Sequence, residues 1–307
     1  MPRFGRWTIY REARRRAITL WRAAALAASC LLAASGVSPL RAETPMIAPD
    51  EIWAGLEEGE IDAVADVIDG DTLRLASGLE VRLAEIAAPK TWGDGRDHPA
   101  ARGFAEAAQS ALRAIADGRS ARLYYGGLKR DRHGRALAHV FLHDAEGDVV
   151  WAQARLVEAG LAHVASTLRN RQKAEALLLI EAGARRANRG QWADPWRALV
   201  TAENAEARAH RFGVIEGVVR QTADVRGTVY LNFGEDYRTD FTIQLDSKAL
   251  RLFRSEGRTP LQLQGRRVRV RGWVDLYNGP FISVTHPEQL EVLSPSLTAP
   301  HLAAGRQ

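Results

Sequence analysis

Residues Val67–Ile86 read VIDGDTLRLASGLEVRLAEI, and this stretch decides the fold. Apolar and polar residues alternate in it with a period of two, which is typical of strands. Asp69-Gly70-Asp71 and Ser77-Gly78 interrupt the alternation with residues that favour tight turns. The stretch therefore predicts consecutive hairpins, with strands over Ile61–Ile68, Thr72–Ala76 and Glu80–Ile86.

Helices and further strands follow these hairpins. Apolar residues recur at helical spacing over Ala100–Ala116, and Gly118 ends that predicted helix. Two more strands, separated by the polar turn Lys129–Arg135, and two more helices complete the unit. We predict these elements at Ala121–Tyr125, Ala136–Leu142, Trp151–Ala159 and Lys173–Asn188.

The pattern returns to short strands after Phe212, with a predicted helix over Lys248–Ser255 between the third and fourth of five strands. This layout is typical of an OB-type Greek-key barrel. The sequence therefore predicts a mainly β protein, built of β-barrels plus α-helices. The predicted segments are a linker over 43–60, a first domain over 61–197, a connecting helix over 198–211, an OB-like domain over 212–293 and a disordered tail over 294–307.

The charge of the chain is concentrated at its N-terminus. The 307 residues carry a formal net charge of +5. Residues 1–42 hold eight arginines against the single acid Glu12, whereas residues 43–307 hold 34 basic and 36 acidic side chains. The composition excludes a disordered chain and a polytopic membrane protein, and it does not support steering of the whole protein towards nucleic acid. Any anion site must be local.

The N-terminal segment is typical of a secretory signal peptide. Its arginine-rich start precedes the small apolar stretch Ala23–Val37, with a cleavage point after Ala42. We therefore expect export to the periplasm or the medium, with no stable membrane span after cleavage; an uncleaved membrane anchor is the alternative. The single cysteine, Cys30, excludes a disulfide framework and a cysteine-built zinc site.

Four motifs stand in a fixed order along the first domain. They are Val67–Thr72, then Val81–Ala84 with Pro89, then Lys129–Ala138, and finally Val157–Ala162 followed by Gly190-Gln191-Trp192. Residues 61–196 thereby resemble the staphylococcal nuclease (thermonuclease) family. The resemblance implies an OB barrel of five strands capped by three helices. It also implies calcium-dependent cleavage of DNA and RNA, with two carboxylates and a carbonyl on the ion, a glutamate that activates water, and two arginines on the phosphate.

The resemblance assigns these roles residue by residue. Asp71 matches the first calcium carboxylate, and Arg82 and Arg135 match the two phosphate-binding arginines. Ala87 stands where the family has its second carboxylate, and Lys90 where it has the glutamate. A solvated lysine, with a pKa of about 10.4, cannot accept a proton near neutral pH, and its charge repels a nearby metal ion. Calcium at Asp71 is implied by the family, yet the two replacements predict that it binds poorly.

The leading interpretation is a metal-independent phosphate-binding cleft made by Lys90, Arg82 and Arg135. The protein would be an exported thermonuclease-like protein that engages the phosphodiesters of DNA or RNA, with its endonuclease activity altered or lost. Ser166 and Leu168 stand where the family has nucleotide-facing tyrosines, so base stacking is not expected there.

Two other functions stay open. In the first, the protein is an active metal-dependent phosphodiesterase or endonuclease in which other acids substitute; Asp94 and Asp97 lie in the loop after the missing glutamate. In the second, it is an envelope scaffold that recruits a protein partner through the second barrel. The slightly negative charge of residues 43–307 favours that scaffold.

The second barrel has one basic and aromatic strand. Arg267, Arg269, Arg271 and Trp273 share a strand face by their period of two. OB-type faces that bind single-stranded nucleic acid combine cations with stacking rings in this way. A ladder of arginines paired with acids on a neighbouring strand is the equal alternative.

Overall fold

The computed structural model of the protein describes residues 52–90, 99–195 and 198–293. The predicted signal peptide over 1–42, the tail over 294–307, and Cys30, Asp94 and Asp97 lie outside these residues.

The first domain is a closed barrel. Its strands are β1 (Glu57–Asp69), β2 (Thr72–Leu75), β3 (Glu80–Leu83), β4 (Ile86–Ala87), β5 (Ser120–Tyr125), β6 (Ala136–His143), β7 (Val149–Trp151) and β8 (His163–Val164). Its helices are α1 (Pro99–Ala116), α2 (Ala152–Glu158) and α3 (Ala174–Arg186). The sheet runs β3-β2-β1-β5-β6-β7, and a parallel pairing of β3 with β6 closes it. The short strands β4 and β8 pair with each other.

The period of two puts the apolar side chains of these strands inside the barrel. Leu73, Leu75, Val81, Leu83 and Leu123 are fully buried in one core. The buried α1 residue Leu112 belongs to the same core, so the helix covers one end of the barrel through its apolar face. The predicted hairpins, and the helix expected over Ala100–Ala116, are confirmed.

The second domain repeats this architecture. Its strands are β9 (Val200–Thr201), β10 (Arg211–Val218), β11 (Gln221–Val225), β12 (Thr228–Asn232), β13 (Thr242–Leu245), β14 (Arg267–Leu276), β15 (Pro280–Val284) and β16 (Leu290–Val292). Helix α4 (Ser247–Ser255) follows β13. The path β11-β12-β13-β15-β14-β10 includes a parallel pairing of β13 with β15, as β3 pairs with β6 in the first barrel. The predicted succession of two barrels is therefore confirmed.

Two predicted connections are wrong in part. In the segment expected as a connecting helix over 198–211, only Ala202–Arg208 is helical, as a 3-10 helix, and Ala202 and Ala205 lie in the second core. The predicted linker over 43–60 is partly structured, because β1 begins at Glu57 and the Trp53 ring stacks on Tyr124 with 6.1 Å between centroids. Both segments therefore complete a barrel. None of the helices in the described residues is long and apolar enough to cross a membrane.

Candidate functional site

The hairpin between β1 and β2 buries one of its two aspartates. Asp69 Oδ1 accepts the backbone N–H of Asp71 at 3.0 Å, which fixes the turn. Gly70 separates them, and a Cβ at this position would lie 2.6 Å from the Cβ of Ala108 on α1. This close approach presses the hairpin against the helix and leaves the Asp71 side chain fully buried. Its Oδ2 accepts the backbone N–H of Ala88 at 2.6 Å.

Two cations neutralise these aspartates. Arg82 Nη1 lies 3.0 Å from Asp71 Oδ1, and Nη2 donates to the Ile86 carbonyl at 2.9 Å. Lys90 Nζ lies 2.7 Å from Asp69 Oδ2 and is also bonded to Asp71 Oδ1. Burial alone would raise the pKa of Asp69, but the charge of Lys90 and its hydrogen bond hold that pKa below its usual value. The ammonium of Lys90 thus bridges the two aspartates.

Arg135 directly precedes β6, the strand that pairs with β3. In the register of β3 and β6, Arg82 is opposite Leu137, and Arg135 comes two residues before Leu137. Successive side chains of a strand alternate between faces, so the alternation assigns Arg135 to the face that carries Leu137 and Arg82. Arg135 Nε donates to Asp131 Oδ2 at 2.7 Å. Burial would raise the pKa of Asp131, whereas hydrogen bonds from Arg135 and from backbone N–H groups lower it below its usual value.

The matching family model is that of the staphylococcal nuclease homologue, over residues 80–194. Residues 80–194 are similar to the staphylococcal nuclease homologues. The match confirms the predicted family and the OB fold of this domain, and it indicates a nuclease-like domain that binds nucleic acid. The matched segment contains Arg82, Lys90 and Arg135, whereas Asp71 precedes it. No curated protein matches the chain.

The cations of this site are less free than the sequence predicts. Lys90, Arg82 and Arg135 were predicted to face a phosphate together. Each has a carboxylate partner within the domain, and Lys90 contacts two. Arg82 and Arg135 keep about a fifth to a quarter of their side-chain surface exposed, 18% and 26%. A phosphate at this site must therefore compete with internal carboxylates, and Lys90 acts as a counter-ion.

The residues of this site do not fit the calcium ion that the family uses. Calcium takes six to eight oxygen ligands at about 2.3–2.6 Å. The described residues contain no group of three or more histidine, cysteine or acidic side chains that could hold a metal ion. Ala87 offers a methyl group, and an ammonium already fills the space between Asp69 and Asp71.

Glu85 does not replace the missing acid. It is buried, and its carboxylate lies 3.2 Å from His139 Nε2 and accepts the backbone N–H of Lys173 at 3.1 Å, at the start of α3. Its carboxylate is bound to the helix and cannot serve the hairpin.

The loop before β6 carries the exposed cations nearest to Arg135. Arg130 and Arg132 are exposed, and no carboxylate of the described residues lies within ion-pair distance of either. We call these two residues the unpaired loop arginines. Asn170 Nδ2 donates to the Leu128 carbonyl at 3.0 Å, which ties this loop to the segment before α3. The sequence reveals this run of basic residues, but it does not show which of them lack a carboxylate partner.

The arginine strand of the second barrel is the paired ladder that the sequence analysis gave as the alternative. Arg267 and Arg269 both bind Glu216 on β10, and Arg269 and Arg271 both bind Glu291 on β16. Arg271 is only 1% exposed, so it cannot contact a nucleic acid. Trp273, on the same strand, is 49% exposed. The basic residues of this face therefore do not form a free platform for a single strand.

The same face of β14 packs against the nuclease homologue domain. Arg271 Nη1 donates to Glu181 Oε2 of α3 at 2.8 Å and to the Val164 carbonyl at 3.3 Å. His286 Nε2 lies 2.8 Å from Ser166 Oγ. One position where the family has a nucleotide-facing tyrosine is therefore in contact with the second barrel. No feature of the sequence indicates these pairings, because the partners lie about 90 to 120 residues apart along the chain.

Proposed function

We propose that the protein binds the phosphodiester backbone of DNA or RNA without calcium and does not hydrolyse it at this site. The contact surface is the loop Lys129–Arg135 with Arg82 beside it. The observation that carries the proposal is the ammonium of Lys90 between Asp69 and Asp71. This ammonium lies where a metal ion would have to bind. It can neutralise the aspartates, but it cannot polarise a water molecule as a metal ion does.

Electrostatics and acid–base chemistry both argue against hydrolysis. At an effective dielectric constant near 20, each unit of metal charge placed about 4 Å from the Lys90 ammonium is opposed by about 4 kcal/mol. A general base must accept a proton near neutral pH, and the family's glutamate is replaced by this lysine. Asp71 is buried and already accepts bonds from Ala88 and the two cations. No remaining group of the hairpin is available to activate water.

Binding rests on the exposed arginines. A guanidinium presents a fixed fork of donors that matches phosphate oxygens, and it stays charged at every relevant pH. No carboxylate of the described residues lies within ion-pair distance of the unpaired loop arginines, so a phosphate can reach them without breaking a described ion pair. Arg135 and Arg82 extend the contact when phosphate takes the place of their carboxylate partners, Asp131 and Asp71 respectively.

Fluorescence anisotropy and a cleavage assay on the same labelled strands test this proposal. Single-stranded and duplex DNA and RNA would be mixed with the protein in calcium, magnesium or chelator. We expect salt-sensitive binding in chelator, intact strands in every buffer, and weaker binding by the double variant Arg130→Ala/Arg132→Ala. Arg102→Ala is the matched control, because Arg102 is an exposed arginine of α1 that is paired with Glu106. Cleavage that needs calcium and Arg135 would contradict the proposal and favour substitute acids.

Calorimetry with Lys90→Ala tests the ammonium directly. Removal of this charge leaves Asp69 and Asp71 with Arg82 alone, so the hairpin becomes net negative. We expect the variant to bind calcium more tightly than the unaltered protein does. Lys129→Ala is the control, because Lys129 is half exposed and pairs with Glu57 away from the hairpin. Equal calcium affinity in all three proteins would contradict the role given to Lys90.

A protein-interaction scaffold is the second candidate function. Trp273, Leu276 and Tyr277 are 49%, 43% and 77% exposed in one short stretch at the end of β14. Exposed aromatic residues are enriched in protein interfaces. Capture of a partner that survives high salt and is lost in Tyr277→Ser would favour this function, because apolar contacts resist salt and phosphate contacts do not.

Export of the protein is also part of the proposal. It is supported by the arginine-rich and then apolar sequence of residues 1–42. Fractionation of cells that express the full chain, beside a chain that starts at Glu43, tests it. We expect only the full chain outside the cytoplasm, and equal distribution of the two would contradict export.

A further inference from the structure

The backbone of β8 is held by two side chains that meet across the two barrels. Glu181 Oε1 of α3 accepts the Val164 N–H at 2.8 Å, and Arg271 Nη1 of β14 donates to the Val164 carbonyl at 3.3 Å. The two side chains also bind each other, with 2.8 Å between Arg271 Nη1 and Glu181 Oε2. Both are buried, so water does not replace either partner. The N–H and the C=O of Val164 thus depend on one ion pair.

β8 in turn holds the strand that supports the candidate cleft. Val164 pairs with Ile86 in the two-stranded sheet of β4 and β8. The Ile86 carbonyl accepts Arg82 Nη2 at 2.9 Å, and two residues later the Ala88 N–H donates to Asp71 Oδ2 at 2.6 Å. Side-chain bonds to Val164, the pairing of β8 with β4 and the backbone of residues 86–88 therefore connect the second barrel to both Arg82 and Asp71.

Other contacts of the second barrel meet the same part of the first. His286 Nε2 lies 2.8 Å from Ser166 Oγ, and Arg171 is bonded to Glu256, at 2.9 Å, and to Glu288, at 2.5 Å. Ser166 and Arg171 lie in the loop that joins β8 to α3. The second barrel thus contacts β8, its following loop and α3, and β8 is the strand that pairs with β4.

We propose that Arg271 is a positioning residue for the candidate cleft, through Val164 and β4. The second barrel would then act as a support that fixes Arg82 and Asp71, rather than as a separate nucleic-acid module. That Arg82 in turn meets phosphate rests on the function proposed above, whereas the support of β4 does not. Spatial continuity alone does not establish coupling, so the experiment must measure β4 itself.

Hydrogen exchange of the whole protein, followed by mass spectrometry, makes this measurement. In Arg271→Met we expect the peptide that covers residues 84–90 to exchange at least about tenfold faster, because β8, the partner strand of β4, loses a charged hydrogen bond at Val164. Peptides from β11 and β12, far from this contact, should be unchanged. Arg267→Met is the control, because Arg267 is half exposed and its ion-pair partner among the described residues is Glu216, within the second barrel. Unchanged exchange at 84–90 in a folded Arg271→Met protein would overturn the inference.

A second variant keeps the test decisive if the single one unfolds. Replacement of a buried ion pair by apolar residues of similar size is often neutral for stability. Arg271→Met/Glu181→Leu should therefore be destabilised less than Arg271→Met, although Arg185 loses its bond to Glu181 and Val164 loses both side-chain bonds. We expect this variant to stay folded and to exchange faster at 84–90. Slow exchange in this folded protein would also overturn the inference, and Arg271→Lys should restore only part of the protection, because an ammonium lacks the guanidinium fork.

Binding of a labelled single strand of about 12 nucleotides separates this inference from the proposed function. Faster exchange together with weaker binding supports both. If the variant exchanges faster but the unsubstituted protein binds no strand, the support of β4 is confirmed and the proposed function is contradicted. If the variant exchanges and binds as the unsubstituted protein does, the inference about Arg271 is contradicted and the proposed function is unaffected.

Discussion

His286 makes the stability of the protein depend on pH in a way that can be calculated. The ring is 1% exposed, with Nε2 at 2.8 Å from Ser166 Oγ and Nδ1 at 2.9 Å from Thr285 Oγ1. Burial and then the positive charge of Arg171 lower the pKa of His286 to about 4. A histidine in an unfolded chain titrates near pH 6.5. Between these values the unfolded chain binds a proton that the folded protein does not.

The sign and the size of the effect follow from this difference. Stability rises with pH where the unfolded state binds more protons, so the stability present above pH 6.5 is lost as pH falls towards 4. A shift from about 6.5 to about 4 corresponds to roughly 3 kcal/mol when the loss is complete, at about 1.4 kcal/mol per unit. At pH 5 the same titration gives a loss of about 2 kcal/mol.

Urea unfolding at pH 7.5 and pH 5 measures the loss. We expect the free energy of unfolding of the protein to fall by about 2 kcal/mol more than that of His286→Gln, which cannot titrate. Glu288 contributes in the opposite direction, because burial raises its pKa, but it is present in both proteins and cancels in the comparison. His133→Gln is the control at an exposed histidine. Equal losses in the protein and in His286→Gln would refute the assignment of this pKa to His286.

Three glycine substitutions test the packing around the site by thermal unfolding. Gly70→Ala should destabilise the protein by about 1–3 kcal/mol, because the new Cβ would lie 2.6 Å from that of Ala108; a change below about 0.5 kcal/mol would mean that hairpin and helix are further apart. Gly183→Ala in α3 should stabilise it by about 0.5–1 kcal/mol, because nothing lies within 4 Å of the new methyl group; destabilisation would contradict this. Gly127→Ala should cost at least about 2 kcal/mol, since its Cβ would collide with the Arg169 carbonyl; a neutral result would exclude that contact.

The strands of both barrels could be predicted from the sequence because each has one buried face. The alternation is strict where the neighbouring strands are regular, as in β2 and β3. The segment over 198–211 misled because alanine is also the best helix former. Its alanines serve close packing instead: a Cβ at Gly217 would lie 2.8 Å from the Cβ of Ala202. Composition alone does not distinguish a helix from a tightly packed turn of 3-10 helix.

The sequence indicates which residues form the candidate site, but it does not show which of these side chains form ion pairs with one another. Asp71, Arg82 and Lys90 lie together at the hairpin, whereas the prediction grouped Lys90 and Arg82 with Arg135 as a phosphate-binding cleft. That Lys90 binds Asp69 as well depends on how the chain folds back over 21 residues, which no local pattern encodes. For Arg271, the period of two gave the correct face of its strand. Whether that face meets solvent or another domain depends on surfaces that are distant in sequence.

The charges around the hairpin separate binding from hydrolysis. Asp69 and Asp71 carry two negative charges, and Lys90 and Arg82 carry two positive ones, so the group is neutral as a whole. A phosphate that approaches Arg82 also meets the field of Asp71 at a similar distance, and the net attraction is small. Most of the attraction must therefore come from the two unpaired loop arginines. Two such contacts on a single strand correspond to a slope of about −1.4 when the logarithm of affinity is plotted against the logarithm of salt concentration. A much steeper slope would require cations beyond this loop, because the hairpin has no net charge to contribute.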